Sequence, residues 1–163
     1  MRTLSLAPMA RLANLASLIV RVVFGVIMAT HGWQKLTQFG PANFGGQVLA
    51  GLGIPLPVLA AYVVTLVELI GGILLIVGLL SRLAALLLTV DLVVALLLVK
   101  VNVGLIAPQG SESGAELDLA LIAGFLVILF AGPGKLSIDH ALGLEPEVVA
   151  EEASVRRDRA STT

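Results

Sequence analysis

The sequence predicts an all-α protein, a four-helix transmembrane bundle, and three observations carry that prediction. Apolar residues make up 58% of the chain and charged residues only 13%, with a mean hydropathy of +1.03. Soluble domains run at roughly 45–50% apolar and about a quarter charged, so this chain cannot cover a water-facing surface. Several windows reach the ~20 apolar residues that cross a hydrocarbon layer. The few ionisable residues inside those windows share ridges with small residues, which turns them away from lipid.

The first span runs from about Leu15 to Gly32, near the lower limit of ~17–20 residues for crossing. Arg2 and Arg11 ahead of an apolar run resemble a signal peptide. Arg21 breaks that run early and no small-x-small cleavage site precedes a soluble mature domain, so a retained membrane helix is expected. Arg21, Gly25, Ala29 and Gly32 fall on one ridge at helical spacing. Trp33 ends the span with the amphipathic ring suited to a headgroup boundary.

Residues 37–56 carry Gly40, Gly45, Gly46, Gly51, Gly53, Pro41 and Pro55, and read as a loop. Within it, Asn43 is placed to cap a short helix whose Phe44, Val48 and Leu52 share one face, an interfacial helix lying along the membrane surface. The second span, Pro57 to Leu80, holds Glu68 near its middle. Gly78 and Ser81-Arg82 mark a tight turn into the third span, Leu83 to Val99, which contains Asp91. So short a link makes the two helices an antiparallel hairpin.

A polar loop covers residues 100–115, and the fourth span runs from Glu116 to Ala131, ending at Gly132-Pro133-Gly134. Its uninterrupted apolar part, Leu119 to Ala131, is only about 13 residues, so Glu116 and Asp118 belong to the interface or to a polar seam. Neither Gly132-Pro133-Gly134 nor Gly71-Gly72 has the strand, helix and Lys-Ser/Thr context of a phosphate loop, and both read as packing and helix-stop features. The chain thus divides into a basic arm (1–14), a four-span domain (15–140) and a charged tail (141–163) that ends in a short, fraying helix.

Four spans put both termini on one side with Arg2, Arg11, Arg82, Lys135, Arg156, Arg157 and Arg159, against Lys35 and Lys100 on the other. The positive-inside rule assigns the termini to the cytoplasm, and the two longer loops become an outward-facing cap. The expected location is the inner (plasma) membrane, crossed several times, with the lipid bilayer as the first partner. A net charge of −1 offers no basic surface for nucleic acid. With no cysteine in the chain, disulfides, thiolate metal sites and a dithiol relay are all excluded. The two histidines, His31 and His140, fall on opposite sides of the predicted bundle, which disfavours a bis-histidine haem, and no metal site is expected.

Arg21, Glu68 and Asp91 are the informative trio. Counting ~1.5 Å per residue from the cytoplasmic ends gives depths of about 9, 18 and 12 Å, which places Arg21 level with Asp91 and within reach of Glu68. A charge at a helix centre costs roughly 2.5–3.5 kcal/mol, so these groups should pair. They could be structural glue that sets helix register. They could also form a proton-handling site, because one arginine cannot neutralise two carboxylates, and Glu68, the deeper one, is the expected proton carrier. His31 and Lys35 stand one turn apart at the outer boundary, level with Lys100 and Glu116. A neutral imidazole there could bind a quinone carbonyl, a metal or a haem, or simply be hydrogen-bonded.

The order Arg21-x-x-x-Gly25, His31-Gly32-x-x-Lys35-Leu36, Gly53-Ile54-Pro55, Glu68-x-x-Gly71-Gly72, Gly78, Ala85, Asp91, Glu116-Leu117, Gly132-Pro133-Gly134, Ser137-x-Asp139 resembles the DoxX family. The likeness runs over about residues 15–140 and is carried by order and spacing rather than by one motif. It implies a small four-helix inner-membrane protein of redox systems. Relatives include a subunit of an archaeal thiosulfate:quinone oxidoreductase and a mycobacterial protein linking a superoxide dismutase and a sulfurtransferase-like protein at the membrane. Carried over residue by residue, it highlights the positions Arg21, His31, Lys35, Glu68, Asp91 and Glu116; of these, Arg21, Glu68 and Asp91 are the candidate catalytic residues of the redox reading, and His31, Lys35 and Glu116 its candidate quinone-binding residues.

Three readings follow. One is the membrane subunit of a quinone-linked oxidoreductase, its site formed by His31, Lys35, Glu68 and Asp91. Another is a non-enzymatic scaffold that docks soluble redox proteins. The third is a small proton-coupled carrier, which would have to form a homo-oligomer to enclose a path.

Overall fold

Wherever the sequence runs apolar for several turns, the chain is helical, and no strand occurs among the described residues. The computed structural model describes residues 13–100, 103–106 and 114–144, with side chains from Leu15 onward. Most of the expected basic arm, much of the 100–115 loop and the tail beyond 144 lie outside these residues.

Helix α1 (Ala13–Gln34) continues through a wider π turn, Lys35–Phe39. A short helix α2 (Pro41–Phe44) follows, extended by a second wide turn, Gly45–Leu49. Then come α3 (Pro57–Val77), α4 (Ser81–Ala95) with its extension Leu96–Lys100, α5 (Glu116–Ala131) and the single-turn α6 (Ile138–Ala141). Leu15–Phe39, Pro57–Val77 and Ser81–Lys100 are long and apolar enough to cross a membrane. At 16 residues, α5 spans only ~24 Å.

The apolar residues sort by face. Met28, Leu75, Leu88, Leu121, Phe125 and Ile128 are buried and form one core, whereas Ile19, Val63, Leu97 and Phe130 point outward. Apolar exteriors of this kind suit contact with lipid.

Glycine lines both sides of the α1–α3 contact, so the two backbones come close together. A Cβ on Gly25 would stand 2.7 Å from the Gly72 carbonyl oxygen, and one on Gly32 would stand 2.7 Å from Leu69 Cα. Backbones this close gain dispersion contacts, the chief attraction between helices when lipid is as apolar as leucine. Gly124 of α5 makes similar room for the Phe24 ring, which meets Phe125 edge-on at 6.0 Å.

The short helix over residues 41–49 occupies the expected loop, but its start differs from the sequence expectation. Gly40, at φ 75°, precedes Pro41 at the first turn, and Asn43 lies inside the helix with its Nδ2 donating to the Phe39 carbonyl. Proline's fixed φ preorganises the entry, which makes an asparagine cap unnecessary. Gly45 seats this segment on the start of α3, where a Cβ would stand 2.6 Å from the Pro57 carbonyl oxygen.

At the opposite end, α3 stops at Gly78 in the left-handed region (φ 75°), and α4 begins at Ser81, two residues earlier than expected. Leu80, before it, has no capping side chain. Asp139 of α6 supplies the cap from a distance, accepting from Leu80 N at 2.6 Å and Ser81 N at 2.8 Å. The Asp139 amide in turn donates to the Gly78 carbonyl at 2.8 Å. The segment after α5 therefore folds back and clasps the α3–α4 turn.

Candidate functional site

Glycine packing sets a register, and the register builds the polar site. With Gly25 against Gly72 and Gly32 against Leu69, α1 and α3 run antiparallel, and one further turn brings Lys35 beside Glu68. Their ion pair closes at 2.6 Å, Lys35 Nζ donating to Glu68 Oε1. The ammonium also stands 5.0 Å above the Phe44 ring, a cation–π contact from the short helix.

Glu68 is 4% exposed. Its second oxygen, Oε2, is buried and receives no hydrogen bond. A buried carboxylate oxygen without a donor is costly, so this atom suits a proton or a ligand's donor group. The Lys35 side chain, at 25% exposure, keeps a route to the surface.

Gly71 faces Leu88 across the α3–α4 hairpin, and three residues back on α3 and onward on α4 put Glu68 level with Asp91. The depths counted from the sequence set Glu68 deeper than Asp91. The difference disappears because α3 ends at Val77 and α4 starts at Ser81, so both carboxylates sit a similar distance from the turn. Arg82 donates to the Leu129 and Phe130 carbonyls, a register that brings Asp91 within about a turn of Asp118 on α5.

These side chains share one electrostatic environment. Asp91 is within reach of Glu68, Lys35 and Asp118, and Asp118 within reach of Lys100, His31, Glu116 and Lys35. Asp118 Oδ2 is likewise buried without a donor. Four carboxylates, Glu68, Asp91, Glu116 and Asp118, thus stand against two lysines, Lys35 and Lys100. Among the described residues no three His, Asp or Glu converge to hold a metal ion.

Arg21 is elsewhere. It is 1% exposed and lies at the clasped end, donating from Nη2 to the Leu136 carbonyl at 2.6 Å and from Nη1 to the Pro133 carbonyl at 3.3 Å. Its electrostatic neighbour is Asp139, and Gly78 makes room for the guanidinium. The expected approach of Arg21 to Glu68 and Asp91 is therefore not what the fold builds. The α1–α3 register sets Arg21 level with Gly78, more than two turns from Glu68 along α3.

Of the residues singled out from sequence, the fold groups Lys35 with Glu68 directly, brings Asp91 level with them and leaves His31 half-buried one turn away. Glu116, in the first turn of α5, is exposed. The Lys35–Glu68 partnership was missed, although the ridge Arg21, Gly25, Ala29, Gly32 and the pair Gly71-Gly72 carried its signal. Laying those small residues against each other fixes which lysine meets which carboxylate. Asp118 was read only as part of a seam, since nothing local distinguishes it from an acidic first turn.

Residues 16–101 match the DoxX family. The chain is 32% identical to an uncharacterized membrane protein of Mycobacterium tuberculosis, over 76% of this chain and 78% of that protein. It is also 32% identical to a Bacillus subtilis protein named "Putative oxidoreductase CatD", over 77% of this chain and 86% of that protein. An Escherichia coli protein named inner membrane protein YqjF is 28% identical over 82% of this chain and 97% of its own length. No solved structure matches.

Proposed function

This chain belongs to the DoxX family of membrane proteins, and from that premise we propose that it is the membrane subunit of a quinone-linked redox system. The observation that carries the reading is the Lys35–Glu68 pair, buried within apolar helices with one carboxylate oxygen lacking a donor. The name of the Bacillus subtilis relative points the same way. The absence of cysteine directs the electrons toward a lipid-soluble carrier or a partner protein rather than an internal dithiol.

The residues present fit a quinone. Lys35 and His31 offer donors for a carbonyl oxygen, and the apolar helix faces suit an isoprenoid tail. When bound, a quinone supplies acceptance of two electrons and two protons. The chain's own task is then to hold the carbonyl and to deliver protons, with Glu68 Oε2 and Asp91 as the delivering groups. In this reading α5 is a fourth span, the termini are cytoplasmic, and the end bearing Lys35 and Lys100 faces outward across the inner membrane.

The test is a quinone inventory of the protein purified in mild detergent, with quinone reduction by the isolated complex, for wild type and Glu68→Gln. Stoichiometric quinone in wild type, with reduction lost in the variant, is the expected result. A wild-type protein that carries no quinone but retains a protein partner would overturn the reading in favour of a docking scaffold.

A further inference from the structure

We propose that Asp118 is the entry carboxylate of a proton path that runs from the loop end of the molecule through Asp91 to Glu68. The path shares with the functional reading only the idea that Glu68 handles protons, and it holds whether or not a quinone is the ligand.

Three independent features converge on it. Glu68 is almost wholly buried, and its Oε2 has no donor. Asp118, in the first turn of α5 at the loop end, also has a buried oxygen without a donor. Asp91 is within electrostatic reach of both. The hairpin register sets Asp91 level with Glu68, and the α4–α5 register sets it within a turn of Asp118. Helix dipole stabilisation accounts for an acid in the first turn of α5, but it would be served equally by a solvated carboxylate such as Glu116.

The groups facing this line come from every packed element. They are His31 and Lys35 from α1 and its extension, Glu68 from α3, Asp91 and Lys100 from α4 and its extension, and Glu116 and Asp118 from α5. His31 and Lys100 stand nearest Asp118 electrostatically, which places proton exchange with water at the rim they form. A proton from water adds to Asp118, leaves it for Asp91, and passes on to Glu68 Oε2. Asp118 and Asp91 each become neutral on taking the proton and regain their negative charge on passing it on, and Glu68 gives it up along the same line in reverse. Lys35 donates to Glu68 Oε1, so the free oxygen takes the proton while that hydrogen bond, no longer an ion pair once Glu68 is neutral, holds the side chain in place.

The experiment is hydrogen–deuterium exchange of protonated carboxyl groups, read by infrared spectroscopy of the full-length protein in lipid. No quinone or partner is needed, so its outcome is separate from that of the redox reading. The wild type should show a protonated carboxyl band that is lost in Asp91→Asn, the middle group of the line, and that exchanges promptly in heavy water. In Asp118→Asn the same band should persist but exchange about 100-fold more slowly, the lower range of what a positioned proton donor contributes. Asp118→Glu should restore the rate, and thermal melting would verify that both variants fold. Unchanged exchange in folded Asp118→Asn, or a wild type without an Asp91-dependent band, would overturn the proposal. An Asp118→Asn protein that fails to fold while Asp118→Glu folds but exchanges slowly would overturn it equally.

Discussion

Lys35 reaches across from the end of α1 to Glu68 in the middle of α3 and closes an ion pair at 2.6 Å, with its ammonium over the Phe44 ring. The short helix, α1 with its extension and α3 therefore meet at a single charged contact.

Removing one partner of that contact should cost more than removing both. Lys35→Met strands the Glu68 carboxylate among apolar helices, which for a buried pair costs roughly 3–5 kcal/mol. The exposure of Lys35 puts the expected value toward the lower end. Glu68→Gln leaves a neutral amide, and the double variant should recover much of the loss. Melting temperatures of the four proteins in one detergent provide the double-mutant cycle, and additive losses would contradict the pairing.

At the clasped end, Gly78→Ala should destabilise by more than ~1 kcal/mol. The residue sits at φ 75°, which costs a side chain about that much, and its Cβ would overlap the Arg21 guanidinium. Proteolysis after Gly132 should accelerate as the guanidinium is pushed from the Pro133 and Leu136 carbonyls. An unchanged cleavage rate would separate Arg21 from the clasp.

Asp139→Ala uncaps α4 from a distance. Losing its bonds to Leu80 N and Ser81 N should cost about 1–2 kcal/mol, the range for a capping carboxylate. Hydrogen exchange should rise at the first amides of α4 more than at those of α3. Equal protection would show that the turn holds α4 without α6.

Enlarging the α1–α3 contact should separate the helices. Gly72→Val would press a branched side chain into Ala29 and the Gly25 carbonyl, with an expected loss of about 1–3 kcal/mol. Gly46→Val, where a Cβ meets nothing, is the control that should melt like wild type.

Apolar runs, proline at helix starts and glycine at helix stops determined the helical segments from the sequence alone, because in hydrocarbon an unpaired backbone polar group is prohibitively costly and the helix is the local solution. The small-residue faces of α1 and α3 were legible for the same local reason. Glu68, Gly71, Gly72 and Leu75 all face inward, as their spacing requires. What the sequence left undetermined was the partner of each charge. Arg21 lay close to Glu68 by counting from assumed helix ends, yet tertiary packing gives it the carbonyls of Pro133 and Leu136 and gives Glu68 to Lys35. Pairing depends on axial register and on a returning segment more than a hundred residues away, and neither is a local property of the chain.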